Sequence, residues 1–333
     1  MREIKSRGNF WTLTPLRMVF LALVISVIVG NILVSAAGRN FFSSGNLLDV
    51  FSATSVLGII ALGQTLVLIS GGVDLSMGVV ASMSTLIAAG VMDNKQGNIG
   101  AGVGFALLFG VLFGLFNGIL IGLFKINAFI ATLGTSLLLS GYLATNFHGS
   151  YGQVPAAFHK IGSTNIGPMP LSTLIMWSGA VLFYVTLKQT RYGFHIFAVG
   201  GDTSVARLSG IRSIPVLIGV YVICSLSAAV AGLILASRTG VGSPTIGTDS
   251  KYTLLAIAAA ILGGTTLSGG VGSIIGTISA VTFLGVISNV MSVIELNSFL
   301  QDVVRGSLII LAAALYAKKS SLRITPRFSR AKV

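Results

Sequence analysis

The residues able to do chemistry in this 333-residue chain are few: Lys and Arg total 21, Asp and Glu 8, His 3 and Cys 1. Inside apolar stretches the polar groups are Gln64, Asp74, Asn117, Asn127, Asn289 and the i,i+3 pair Asp302 and Arg305. An ionisable side chain there marks a functional site by default, because charge is costly at that depth. Asp74 has two readings: a group lining a polar route, and the N-cap of a helix beginning near Leu75. Asp302 and Arg305 read as a helix-end ion pair. No catalytic set emerges. No Gly is followed by Lys, so there is no Walker A loop, and neither His-Glu-x-x-His nor Gly-x-Ser-x-Gly occurs. Gly270-Val271-Gly272 followed by Gly276 misses the spacing of a dinucleotide loop and runs into an apolar span. Three His form no metal cluster, and the single Cys224 cannot form an internal disulfide. The sequence predicts no enzyme, no metal and no cofactor.

The informative polar residues sit in a repeated pattern. Residues 71–78 read Gly-Gly-Val-Asp-Leu-Ser-Met-Gly and residues 263–270 read Gly-Gly-Thr-Thr-Leu-Ser-Gly-Gly. Both fit G-G-x-x-L-S-x-G, and each lies between two apolar spans. A second echo relates Lys125-Ile126-Asn127-Ala128-Phe129 to Glu295-Leu296-Asn297-Ser298-Phe299. The chain thus reads as two related halves, about 47–145 and about 214–317. Glycine-rich interruptions in matched positions of two halves point to a transport route. Asp74, Ser76, Ser268 and Asn127 are its candidate polar groups.

The elements that must hold these residues are membrane spans. Hydrophobic residues make up 53% of the chain, charged residues 9%, and the mean hydropathy is +0.93. Soluble domains carry about 25% charged residues, so this chain cannot cover a water-facing surface. The expected fold is an all-α polytopic transmembrane bundle, 1–333 forming one domain. Spans of about 20 residues fall near 16–36, 47–69, 77–92, 99–123, 126–145, 171–187, 214–236, 250–263, 271–294 and 299–317. Those at 77–92 and 250–263 are short and fit broken helices buried in protein. The apolar stretch of the first span is too long for the h-region of a cleaved leader and reads as an uncleaved helix.

The net charge of +13 would suggest nucleic acid in a soluble protein, but here it follows the loops. With the N-terminus inside, ten spans place 15 Lys and Arg on the cytoplasmic side and 6 outside, which fits ten spans with both termini cytoplasmic. Two loops exceed turn length: 146–170 outside and the basic loop 188–213 inside. Gly110, Gly114, Gly118 and Gly122 recur every four residues, as do Gly272 and Gly276 with Ala280. Such stripes let helices approach closely in lipid, within a compact core or at a dimer seam.

Three stretches together resemble a known family, the permease subunit of bacterial ABC importers for simple sugars of the ribose and galactose type. They are Ser70-Gly71-Gly72-Val73-Asp74-Leu75-Ser76-Met77-Gly78, then Lys125-Ile126-Asn127-Ala128-Phe129-Ile130-Ala131-Thr132-Leu133-Gly134-Thr135, then Thr190 and Gly193 through Ala198-Val199-Gly200-Gly201 and Ala206-Arg207-Leu208-Ser209-Gly210-Ile211 to Leu262-Gly263-Gly264 and Gly276. The resemblance covers roughly 47–317. Asn127 stands where the family commonly has proline. The resemblance implies a separate cytoplasmic ABC ATPase, docking on the inner loop at about 195–212, where Asp202 can cap a short helix and Ala206, Arg207, Leu208, Ser209 and Gly210 follow. It also implies a periplasmic or extracellular sugar-binding protein meeting loop 146–170, a homodimer or heterodimer of permeases in membrane lipid, and no nucleic-acid partner. The alternative is an ion-gradient-driven secondary transporter or channel, disfavoured by the sparse charge at membrane depth. Nothing in the sequence names the sugar.

Overall fold

The computed structural model describes residues 15–307 and 310. Apolar runs without interior charge become helices, and the ends follow ordinary capping chemistry. Helix α1 (Pro15–Ala36) starts on a proline, whose fixed φ suits the first turn. Helix α2 (Ser44–Ile69) is capped by Ser43, whose side chain accepts from the Asn46 N–H. Helix α3 (Met77–Met92) is shorter and ends at Asp93 in the left-handed region. Helix α4 (Ile99–Gly122) leads to α5 (Ala128–Asn146), then α6 (Ala156–Ser163) and α7 (Leu171–Gln189). Short α8 (Arg191–Gly201) and α9 (Thr203–Leu208) precede the long α10 (Ser213–Thr239). After α11 (Ile246–Asp249) come α12 (Tyr252–Leu262) and α13 (Ile274–Val293), and helical backbone resumes at 298–307.

Among the described residues, seven helices are long and apolar enough to cross a membrane: α1, α2, α4, α5, α7, α10 and α13. The chain is a multi-pass helical membrane protein. Its layering follows from which faces are covered. Helix α2 is almost wholly buried and packs against α10, α13, α12 and α7. Helices α1, α4, α5 and α7 leave most of their surface uncovered, as lipid-facing helices do. The short α3 and α12 lie inside: α3 is buried on nearly every face, and the alanines of α12 are buried.

The glycine stripe of α4 faces α10. A Cβ on Gly114 would lie 2.6 Å from the Tyr221 carbonyl oxygen and Val222 Cα, and one on Gly118 would lie 2.7 Å from Ile218 Cα. Gly110 meets Ala229 as closely, at 2.7 Å, while Gly122 reaches the Ile214 carbonyl at 3.4 Å, an ordinary contact. Gly276 meets the backbone of Gly263, and Gly272 meets Ile69. Both stripes pack against residues of the same chain, as the compact-core alternative expects.

The bundle has two unlike ends. At one, called here the strand end, β1 (Tyr151–Gln153) pairs antiparallel with β4 (Val241–Gly242), and β2 (Asn165–Ile166) pairs with β3 (Met169–Pro170). Arg39 and Glu295 meet there at 2.9 Å. The opposite end gathers 69–72, 199–212 and 263–272 and is called here the glycine end.

The second sequence echo has a local cause. Lys125 and Glu295 both have φ near +57° (56 and 57), and Asn127 and Asn297 each accept from the N–H two residues on. The two turns lie at opposite ends of the bundle, whereas both G-G-x-x-L-S-x-G loops lie at the same end. The Asn echo is a helix-to-helix turn of one geometry used at both ends, as matched turns of inverted halves would be, whereas the glycine loops share one end as in parallel halves. It also explains the departure from proline at 127: the Asn127 side chain caps α5 directly.

Candidate functional site: the junction of the duplicated loops

Helix α2 stops at Ile69, and the chain turns through Gly71, whose φ of +86° puts it in the left-handed region. Residues 72–76 then run back into the bundle without helical hydrogen bonds. Backbone released inside a membrane protein must find partners. Here side chains from three helices supply them. Gln64 of α2, its amide oriented to suit both groups, donates to the Asp74 carbonyl and accepts from the Asp74 N–H, each at 3.2 Å. The Leu75 N–H donates to Thr132 Oγ1 of α5 at 3.1 Å. The Val73 carbonyl accepts from Thr132 Oγ1 at 3.3 Å and from the Tyr221 hydroxyl of α10 at 3.4 Å.

Within this segment Asp74 accepts from both the Ser76 N–H (2.8 Å) and the Ser76 hydroxyl (2.6 Å) on Oδ1. Asn117 of α4 donates to the same Ser76 oxygen at 3.1 Å. Asp74 and Ser76 are both 0% exposed. Asp74 Oδ2 and Asn117 Oδ1 have no partner among the described residues. The expectation that Asp74 caps a helix starting near Leu75 is corrected. The helix starts at Met77, Ser76 holds the cap position without a side-chain bond, and Asp74 instead closes a two-residue turn before it.

The second loop is built differently. Residues 263–272 fold on themselves: the Thr266 N–H donates to the Val271 carbonyl (3.1 Å), and Thr266 Oγ1 donates to the Gly269 carbonyl (2.9 Å). Ser268 is exposed, as is Leu267. Asn127 is exposed at the same end of the bundle, where it caps α5.

The two loops touch, and α8 touches both. The Gly270 N–H donates to the Ile69 carbonyl at 2.8 Å. A Cβ on Gly269 would lie 2.5 Å from the Gly200 carbonyl and 2.8 Å from Gly71 Cα. A Cβ on Gly200 would overlap the Ile69 carbonyl, and Gly270 packs on Gly201. Backbone meets backbone here with no side chain between. Only glycine permits such close approach.

From this junction the chain continues into α9, an exposed knob. The Asp202 carboxylate accepts from the N–H groups of Ser204 (2.8 Å) and Val205 (3.1 Å) and from the Ser204 hydroxyl. The Ser204 hydroxyl is the main cause holding the Asp202 carboxyl below the usual carboxylate range. Ala206 is buried and anchors the knob, while Arg207, Ser209 and Gly210 are exposed and Leu208 is 89% exposed.

The structure thus brings Asp74, Ser76 and Asn117 together and places Ser268, Asn127 and 202–210 separately around the same end. Sequence reasoning missed Thr132 and Tyr221, which serve the unwound backbone at Val73 and Leu75 from neighbouring helices, and Thr253, whose hydroxyl accepts from the Gly78 N–H in the first turn of α3 at 2.8 Å. Their signal is faint, since Thr and Tyr are ordinary in apolar helices. The i,i+3 ion pair of Asp302 with Arg305 is present at 3.6 Å, and Lys251 joins it as a closer partner of Asp302 at 2.5 Å.

A family model described as "Branched-chain amino acid transport system / permease component" matches residues 46–313. The ribose import permease protein of Escherichia coli (strain K12) is 36% identical over 303 residues, covering 89% of this chain and 93% of the relative. The ribose import permease protein of Bacillus subtilis (strain 168) is 36% identical over 314 residues, covering 91% and 92%. The L-arabinose transport system permease protein of Escherichia coli (strain K12) is 34% identical over 312 residues, covering 93% and 92%. No solved structure gives a significant match.

Proposed function

This chain belongs to the permease-component family whose model it matches, and from that premise we propose that it is the membrane-spanning permease of an ATP-driven importer for a monosaccharide or similar small polyol. The relatives named for ribose and L-arabinose support the solute class. The observation that carries the mechanism is the glycine junction: the exposed α9 knob follows directly on Gly200 and Gly201, which press on both duplicated loops. A push on the knob reaches both loops without passing through a flexible side chain.

In this proposal the glycine end faces the cytoplasm, both termini are inside, and ten spans form two related halves in a bacterial inner membrane. The charge distribution of the loops supports that orientation. A cytoplasmic ABC ATPase docks on 202–210 and supplies the energy that this chain, lacking a nucleotide loop, does not. A sugar-binding protein delivers cargo at the strand end, and two permease subunits assemble side by side. The duplicated loops form the inner closure of the route. In this conformation Asp74 and Ser76 are sealed within it, and Ser268 and Asn127 stand at its mouth.

Reconstitution in proteoliposomes with the ATPase and binding protein tests the proposal. Monosaccharide uptake that requires ATP hydrolysis and ignores ionophores is expected. Uptake abolished by an ionophore and indifferent to ATP would overturn it in favour of a secondary transporter.

A further inference from the structure

Segment 240–251, between α10 and α12, re-enters the bundle instead of capping it. Gly232 packs on Ala81 and Ser84 of α3 and lies seven residues, about 10 Å of helix, inside the strand end of α10. Gly242 lies against Thr85 and Leu86, and from there the segment descends along α3 toward its start. The Gly247 N–H donates to Ser82 Oγ at 2.9 Å, and Gly247 presses on the Gly78 carbonyl. That is another turn deeper, near the middle of a hydrocarbon core about 30 Å thick.

At this depth the segment carries polar residues that protein does not cover. Thr245, Thr248, Asp249 and Lys251 are exposed. The Lys251 ammonium pairs with Asp302 at 2.5 Å while half of its side chain stays uncovered. Non-helical backbone and fixed charge at mid-depth are stable only where they are buried in protein or meet water. Beside them a cavity of about 250 Å³ opens between α2, α12, α13 and 298–307, lined by Thr54, Ser250, Tyr252, Ser288 and Arg305 among others. Arg305 makes one hydrogen bond among the described residues, to Gln301 at 3.2 Å, and so keeps unused donors.

We propose that the exposed edge of 245–251, with Asp302, Arg305 and the adjoining cavity, is the wall of a water-filled chamber that selects the solute. The claim about the solute rests on the importer reading above. Asp249 and Asp302 carry two negative charges, Lys251 and Arg305 two positive ones, so the wall is neutral overall. It still offers charged donors, charged acceptors and hydroxyls side by side. A neutral, hydroxyl-rich solute matches such a wall. A solute with net charge would meet repulsion from half of it.

The experiment uses the full assembly in a Cys224→Ala background, with Thr245→Cys and Thr248→Cys made singly and Leu138→Cys as control. Leu138 of α5 is 73% exposed but lies on an apolar helix face. A charged, water-soluble thiol reagent should label positions 245 and 248 roughly tenfold or more faster than 138, because hydrocarbon raises a thiol's pKa and each unit removes about tenfold of thiolate. Ribose, L-arabinose or galactose, whichever the Cys224→Ala parent takes up, should slow that labelling. Labelling at both positions no faster than at 138 overturns the chamber. Fast labelling that the transported sugar leaves unchanged overturns its selective role. Failure of the importer reading appears separately, as a parent that takes up no monosaccharide at all.

Discussion

The loops at 71–78 and 263–270 share a sequence pattern and an end of the bundle, yet one dives and the other does not. In the first, position 74 is an aspartate that ties Ser76 into a turn, and three other helices hold the backbone. Helix α3 therefore begins within the motif, at Met77. In the second, Thr266 occupies the matching position and bonds within its own turn. Helix α13 begins only at Ile274, beyond the motif. The shared glycines coincide with both helix breaks, while the residue two places after them differs: Asp74 bonds forward to Ser76, and Thr266 bonds to Gly269 within its own turn. The deep loop depends on its neighbours and the shallow one on itself.

The junction that joins the loops is the most sensitive point of this comparison. Gly200→Leu forces a side chain into the Ile69 carbonyl and should abolish folded protein, since backbone on both sides leaves nothing to yield. Size-exclusion yield in detergent checks it, and a monodisperse variant at wild-type yield would show that the junction opens freely.

Next in size is the asymmetry itself. Asp74→Ala leaves the Ser76 N–H and hydroxyl buried and unpaired, at about 1–3 kcal/mol for each group. Thr266→Ala opens a turn at the surface and should cost under about 1 kcal/mol. Thermal unfolding in detergent should rank the two in that order, with Asp74→Asn, which keeps an acceptor oxygen, between them. Equal losses would erase the distinction between the loops. A smaller effect is expected from Tyr221→Phe, which removes one long hydrogen bond to Val73, at about 0.5–1.5 kcal/mol, and has no counterpart on the second loop.

The smallest effect concerns the knob. The folded-state pKa of Asp202 is depressed, so its contribution to the α9 cap is present above the unfolded carboxylate pKa and is lost as pH falls through the folded value. Asp202→Asn should remove that acid dependence of ATPase binding and little else. An unchanged acid limb in the variant would assign the titration to another group.

Much of this architecture was readable from the chain alone. Apolar runs predict helices over 47–69, 99–123 and 214–236, close to α2, α4 and α10, and the short runs at 77–92 and 250–263 match the interior α3 and α12. The α9 cap at Asp202 was legible because capping is local chemistry. Segment 240–251 was not, because its Gly, Ser, Thr and Pro composition is that of any surface loop, and only packing on α3 takes it to membrane depth. The role of Asp74 was half legible: its type and position singled it out, but its turn with Ser76 and the braces from Gln64, Thr132 and Tyr221 are long-range facts that no spacing encodes.

The central claim is that the α9 knob receives an ATPase and passes its motion through the glycine junction. Copurification of the ATPase with wild type and with Leu208→Asp tests this most directly. Leu208 is almost fully exposed, so the variant should fold as wild type by thermal unfolding, lose the ATPase from detergent extracts and lose ATP-dependent uptake. A folded Leu208→Asp variant that retains both the ATPase and uptake would contradict the account.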